Sequence, residues 1–139
     1  ILHRQFHSER ARLLLAVKSM EHQKYEAALK WYVAVINGYT GSSEYFMALA
    51  GRCVMLQKLG RDNWREEMQK AALEIELASN MHIFNLWLQS ISEQLWELLG
   101  NQEMAEHDRS VIAELEKYAE DPKGYMQSIQ SVNNGETRK

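Results

Sequence analysis

His3 and His7 stand four residues apart, the spacing that brings two imidazoles to one helix face and onto a single metal ion. Glu103 and His107 repeat that spacing once. Neither pair has a matching cluster of Cys, His or carboxylates to complete a ligand set, and a di-metal bundle site needs a second such pair. No metal is expected. Cys53 is the only cysteine, which excludes an internal disulfide and a multi-cysteine zinc site. It sits within Gly51–Met55 on an apolar stripe, where a thiol is buried and inert. The carboxylate pairs Glu66/Glu67 and Glu114/Glu116 fall on expected exposed faces, where nothing lifts one carboxyl into the range of a general acid. There is no glycine-rich phosphate loop and no Gly-x-Ser-x-Gly element. The chain is therefore expected not to be an enzyme and to need no cofactor.

Binding chemistry is the remaining option. Trp64, Trp87 and Trp96 recur at the spacing of a helical core, so packing accounts for them better than base stacking does. Trp31 lies beside Tyr32 and off the inward stripe, which makes it a candidate for contact on a convex face. The net charge of −3 is unevenly distributed. Residues 1–35 are net basic, and the rest of the chain is acidic. Six scattered basic residues do not make a polyanion track, so no direct nucleic-acid contact is expected.

The elements that must carry these residues are helices. The 139 residues are 45% apolar with a single proline, which suits one helical domain with a core of its own. No run approaches the about 20 apolar residues of a membrane span, and no charged-then-apolar leader opens the chain. An intracellular setting, cytoplasmic or nuclear, fits the single cysteine.

Six helical segments are expected in pairs. The first runs from about Ser8 to His22, with Leu13, Leu14, Val17 and Met20 as its apolar stripe, and breaks at Gln23-Lys24 before a second that starts at Tyr25. Residues 37–43 read as a loop. The third starts near Ser43 and ends at Gly60, a left-handed cap position. The fourth follows Asp62 and is interrupted at Ser79-Asn80. The fifth carries ten apolar residues in seventeen (83–99), too many for one stripe, so it must be covered on two sides or expose an interface. Gly100 ends it, the sixth runs from about Gln102 to Ala119, and Asp121-Pro122-Lys123-Gly124 stops that. Tyr125, Ile129 and Val132 suggest a short capping helix, and residues 133–139 a flexible tail.

These pairs repeat. Leu59-Gly60 and Leu99-Gly100 lie 40 residues apart, and Tyr25, Trp64 and Met104 open the second helices at spacings of 39 and 40. Two helices per period of this size imply stacked hairpins that share a core, here at about 8–37, 43–79 and 80–120 within a domain of residues 1–132.

Ala16, Tyr25, Ala28 and Tyr32, together with the Lys24–Tyr32 stretch KYEAALKWY, resemble the tetratricopeptide (TPR) repeat. The other hairpins resemble it in layout and exceed its period of about 34 residues. A second resemblance, over roughly residues 45–120, is to the C-terminal repeats of the TPR subunit of the cohesin loader, carried by ALAGRCVMLQKLG, ELASN and LWLQSISEQLWELLGN. The TPR resemblance implies an all-α, right-handed α-solenoid of about three hairpins. It also implies a concave groove formed by the first helix of each pair. In the first hairpin Arg10, Leu13, Val17 and Met20 would face that groove. The Lys and Asn that clamp a carboxylate in chaperone-binding TPRs are replaced by Leu13 and Val17. An apolar groove suits an amphipathic helix or an extended peptide. Arg52, Met55, Gln94 and Glu97 are further contact candidates in the later hairpins.

A protein-binding adaptor or scaffold is the leading expectation. A type III secretion-type TPR chaperone and the C-terminal part of a cohesin-loader TPR subunit are the alternatives. The opening Ile1 is compatible with a piece of a longer chain, and the surplus apolar residues of 83–99 leave a homodimer open.

Overall fold

A computed structural model of the chain describes residues 2–38, 43–81 and 85–133, without the side chains of 2–8, 118, 119, 125, 132 and 133. Seven α-helices and no strand occur among these residues: α1 (Leu2–Glu21), α2 (Tyr25–Ile36), α3 (Ser43–Lys58), α4 (Trp64–Met81), α5 (Leu86–Leu98), α6 (Gln102–Glu120) and α7 (Pro122–Asn133). The side chains of His3 and His7, residues 39–42 of the expected loop, Ile83 and Phe84, and the tail beyond Asn133 lie outside the described residues.

Three tight turns set the pairing, and all three are built alike. Gln23, Gly60 and Gly100 take left-handed backbone angles, with φ of 62°, 69° and 80°. At each, the next residue's N–H donates back five residues: Lys24 to the Ser19 carbonyl (2.8 Å), Arg61 to Leu56 (3.0 Å) and Asn101 to Trp96 (2.9 Å). The turn residue itself donates back three, to Met20, Gln57 and Glu97. This pair of bonds satisfies carbonyls that the ending helix leaves open. Glycine takes the left-handed region without strain, whereas a residue with a Cβ is strained there by about 1–2 kcal/mol, so Gln23 bears a cost its two counterparts avoid.

Helix starts follow side-chain caps in the C-terminal half. Asn85 and Asn101 each accept a hydrogen bond from a backbone N–H three residues on, Leu88 and Met104. Asp121 does the same for Gly124 at 2.9 Å, and Pro122 fills the first position of α7, where a missing N–H costs nothing. The tetrapeptide at 121–124 therefore starts a new helix as well as ending α6.

Three expected boundaries differ. The backbone of α1 is helical from Leu2, ahead of the expected start at Ser8. Met81, not Ser79, ends α4. The Ser79 hydroxyl turns back onto the Glu76 carbonyl at 2.7 Å, so a residue that competes for backbone hydrogen bonds is absorbed inside the helix. The fourth helix begins at Trp64, two residues past Asp62.

Each helix packs on the next in sequence, and α1 with α3 and α3 with α5 also touch. Among the described residues α1 makes no contact with α5 or α6, so the array is open and does not close around one central core. Two buried clusters result. One joins Leu13 and Ala16 of α1 to Ala28, Tyr32 and Val35 of α2 and Ala48 and Met55 of α3. The other joins Cys53 of α3 to Met68 and Ile75 of α4, Leu88, Leu95 and Trp96 of α5 and Ala105 of α6. α3 serves both, one face to each. Ala16, Ala28 and Ala48 are completely buried, and their small side chains let the first three helix backbones approach. Arg65 ties the second pair to the third: its guanidinium lies over Trp64, 4.7 Å from the ring centre, and donates to the Leu99 carbonyl at 2.9 Å.

Candidate functional site

The faces of α1, α3 and α5 that the packing leaves uncovered form a broken apolar trough. α1 supplies Arg10, Leu13, Leu14 and Val17 and α3 supplies Ser43, Glu44 and Met47, which together enclose a hollow of about 310 Å³. Across α3, Met47, Ala50 and Val54 face Trp87, Ile91, Gln94 and Leu98 of α5 around about 230 Å³. Met47 belongs to both, so the two hollows meet at its side chain. A third, of about 320 Å³, lies where Phe46, Ala78, Met81 and Asn85 surround the start of α5, and it shares Ser43 and Trp87 with the others.

The apolar character is not incidental to folding. Leu14 is 58% exposed, Leu98 42% and Met47 38%, while Leu13, the neighbour of Leu14 in sequence, is 9% exposed. One isolated apolar residue on a surface means little, but a row of them around a concavity is the signature of a contact surface.

Polar groups on these helices and their neighbours are committed to one another. Arg10 Nε donates to Glu44 Oε1 at 2.8 Å, and that hydrogen bond holds the Glu44 carboxyl below the usual glutamate value. Arg52 on α3 pairs with Glu67 on α4 at 3.0 Å, which lowers Glu67 in the same way. The Tyr45 hydroxyl donates to Glu74; burial, and then this carboxylate, push the phenol up to about 12. Arg109 of α6 joins Glu93 (2.9 Å) and Glu97 (3.0 Å) of α5. No group of three or more His, Cys, Asp or Glu residues able to hold a metal ion occurs among the described residues.

Of the residues singled out from the sequence, Arg10, Leu13, Val17 and Gln94 line the trough. The others do not. Met20 packs on the core and accepts the Tyr32 hydroxyl at its sulfur (3.8 Å). Trp31 is half-buried against the same cluster, Met55 is completely buried, and Arg52 and Glu97 are held in the ion pairs just described. Leu14, Met47, Trp87 and Leu98 form much of the wall without having been marked. Leu14 was expected in the apolar stripe of the first helix and Trp87 in the core, yet both are exposed. Adjacent leucines satisfy an inward stripe equally well in sequence, and a tryptophan at core spacing is exposed once the helix is covered on only one side. The surplus of apolar residues in 83–99 was the available signal.

The class these features define is an all-helical chain with an uncovered apolar trough along alternate helices. Neither a family model, a curated protein nor a solved structure matches the chain.

Proposed function

We propose that the chain is a TPR-like, right-handed α-solenoid that acts as a protein-binding adaptor, with one amphipathic helix of a partner lying across α1, α3 and α5. The observation that carries this reading is that the hollow between α1 and α3 and the hollow between α3 and α5 adjoin at Met47, which lines both. Helices in contact lie about 8–10 Å apart, so three of them offer a floor of about 20 Å, the length of a partner helix of about 13 residues. The floor is apolar and the one cation that lines it, Arg10, is already paired with Glu44, which favours a partner that offers leucine- or methionine-type side chains at helical spacing over an acidic peptide or a nucleic acid. Each ~100 Å² of apolar surface covered contributes about 2.5 kcal/mol before the costs of ordering the partner are subtracted.

A peptide-display selection on the folded chain tests this. Enriched peptides should carry apolar residues at i, i+3 or i+4, and i+7, and should bind saturably. Leu14→Glu with Met47→Glu should weaken such binding at least tenfold while the circular dichroism stays helical. Peptides whose binding survives the double change, or the absence of any saturable binder, would remove the trough from consideration.

A further inference from the structure

A buried carboxyl on α6, Asp108, and a partly buried one on α4, Glu76, interact beside α5. Asp108 of α6 is completely buried, and neither of its oxygens accepts a hydrogen bond. Glu76 of α4 presents Oε1, also buried and unpaired, while Oε2 lies 3.3 Å from the Ser79 hydroxyl. α5 adds one further orphan, the Ser92 hydroxyl. A buried polar atom without a partner is costly, and two facing carboxylates without a counter-ion are more so. A single proton between the two carboxyls resolves both problems, since a protonated glutamate donates to the aspartate and only one negative charge remains.

The placement gives that proton a mechanical role. The backbones of α4 and α6 do not approach each other, whereas both pack against α5. The carboxyl pair therefore bridges, by side chains, two helices that the backbone packing leaves apart. Among the described residues α7 contacts α6 alone, so it follows wherever α6 goes. We propose that a proton shared by Glu76 and Asp108 latches α6 to α4, and that its loss to solvent as pH rises loosens α6, and α7 with it, from the rest of the array.

The surroundings set the direction. Burial raises Glu76 above the ordinary value of 4.5, the Asp108 charge raises it further, and so does the hydrogen bond the pair can share. The Trp96 indole and the Ser79 hydroxyl oppose this more weakly. No cation among the described residues bears on it: on α5 Glu93 and Glu97 are occupied by Arg109, and on α3 Arg52 is occupied by Glu67. A carboxyl raised in the folded state contributes its stabilisation fully below 4.5 and loses it as pH climbs through the raised value.

Amide hydrogen exchange on the full chain between pH 4.5 and 8 tests the latch, with each amide corrected for its intrinsic exchange rate. Protection across α6 should fall by up to about tenfold per pH unit while Glu76 titrates, and protection across α2 should not follow it. Glu76→Gln supplies a permanent neutral donor to Asp108, and it should hold α6 protected at every pH. A wild-type α6 whose protection is flat with pH, or falls only in step with α2, overturns the proposal. So does a folded Glu76→Gln chain that retains the wild-type pH dependence. Should that variant not fold, the wild-type comparison of α6 with α2 still decides the matter.

Discussion

The ring of Tyr32 on α2 packs so closely on Gly51 of α3 that a Cβ there would overlap the ring carbons. Tyr32 is 3% exposed there. Gly51→Ala should destabilise the chain by about 1–3 kcal/mol, as overpacking of a filled core does. Urea unfolding would read this as a lower midpoint at unchanged slope. Combined with Tyr32→Leu, the second change should cost less than it does alone, because the two residues share one space.

Gln23 is the odd member of three equivalent turns. Gln23→Gly should raise stability by about 0.5–1 kcal/mol, the relief of left-handed strain less the added freedom of the unfolded chain. Gly60→Ala and Gly100→Ala should lower it instead, since both glycines have open space around them and only the backbone angle objects. Thermal melts of the three variants give the comparison.

Leu13 and Leu14 should behave as different residues. Leu13→Ala opens a cavity in the first core cluster and is expected to cost about 2–5 kcal/mol. Leu14→Ala should stay within about 0.5 kcal/mol, because its side chain is mostly in water already. Equal losses in chemical denaturation would mean that Leu14 is core and that the trough is misplaced.

Acid should weaken the fold through Glu44 and Glu67. Both are held below 4.5 chiefly by hydrogen bonds from Arg10 and Arg52, so their stabilisation is present above 4.5 and is lost as pH falls through the lowered values. Pairs this close to the surface contribute about 0–1 kcal/mol each. Arg52→Met should flatten the acid limb of the melting temperature between pH 4.5 and 2.5, and a limb that stays equally steep would show that the pair does not contribute.

Cys53 is completely buried, and burial above all pushes its thiol up to about 11. A thiol-specific reagent at pH 8 should react with it only at the rate of global unfolding, and at once in strong denaturant. Fast labelling of the native chain would place Cys53 at a surface.

Much of the helical framework was legible from local chemistry. Gly60 and Gly100 end helices because the left-handed cap favours glycine, and Tyr25 and Trp64 open α2 and α4 where the 39-residue spacing puts them. Ala16, Ala28 and Tyr32 are buried as their small and aromatic types in that spacing require. The turn at Gln23 was visible only as a break, since glutamine is not a residue that prefers the left-handed angle found there.

What the sequence determined by itself is which segments are helical and that consecutive ones pair, because capping, turn chemistry and apolar spacing act over a few residues. Which leucine faces the core, whether Trp87 and Met47 are covered, and that Glu76 meets Asp108 were decided only by the stacking of helices against one another. A stripe of period 3.6 marks an apolar side without saying what lies against it. Burial and charge proximity are properties of the assembled array, in which α3 is shared between two cores and α1, α3 and α5 are left with one side open.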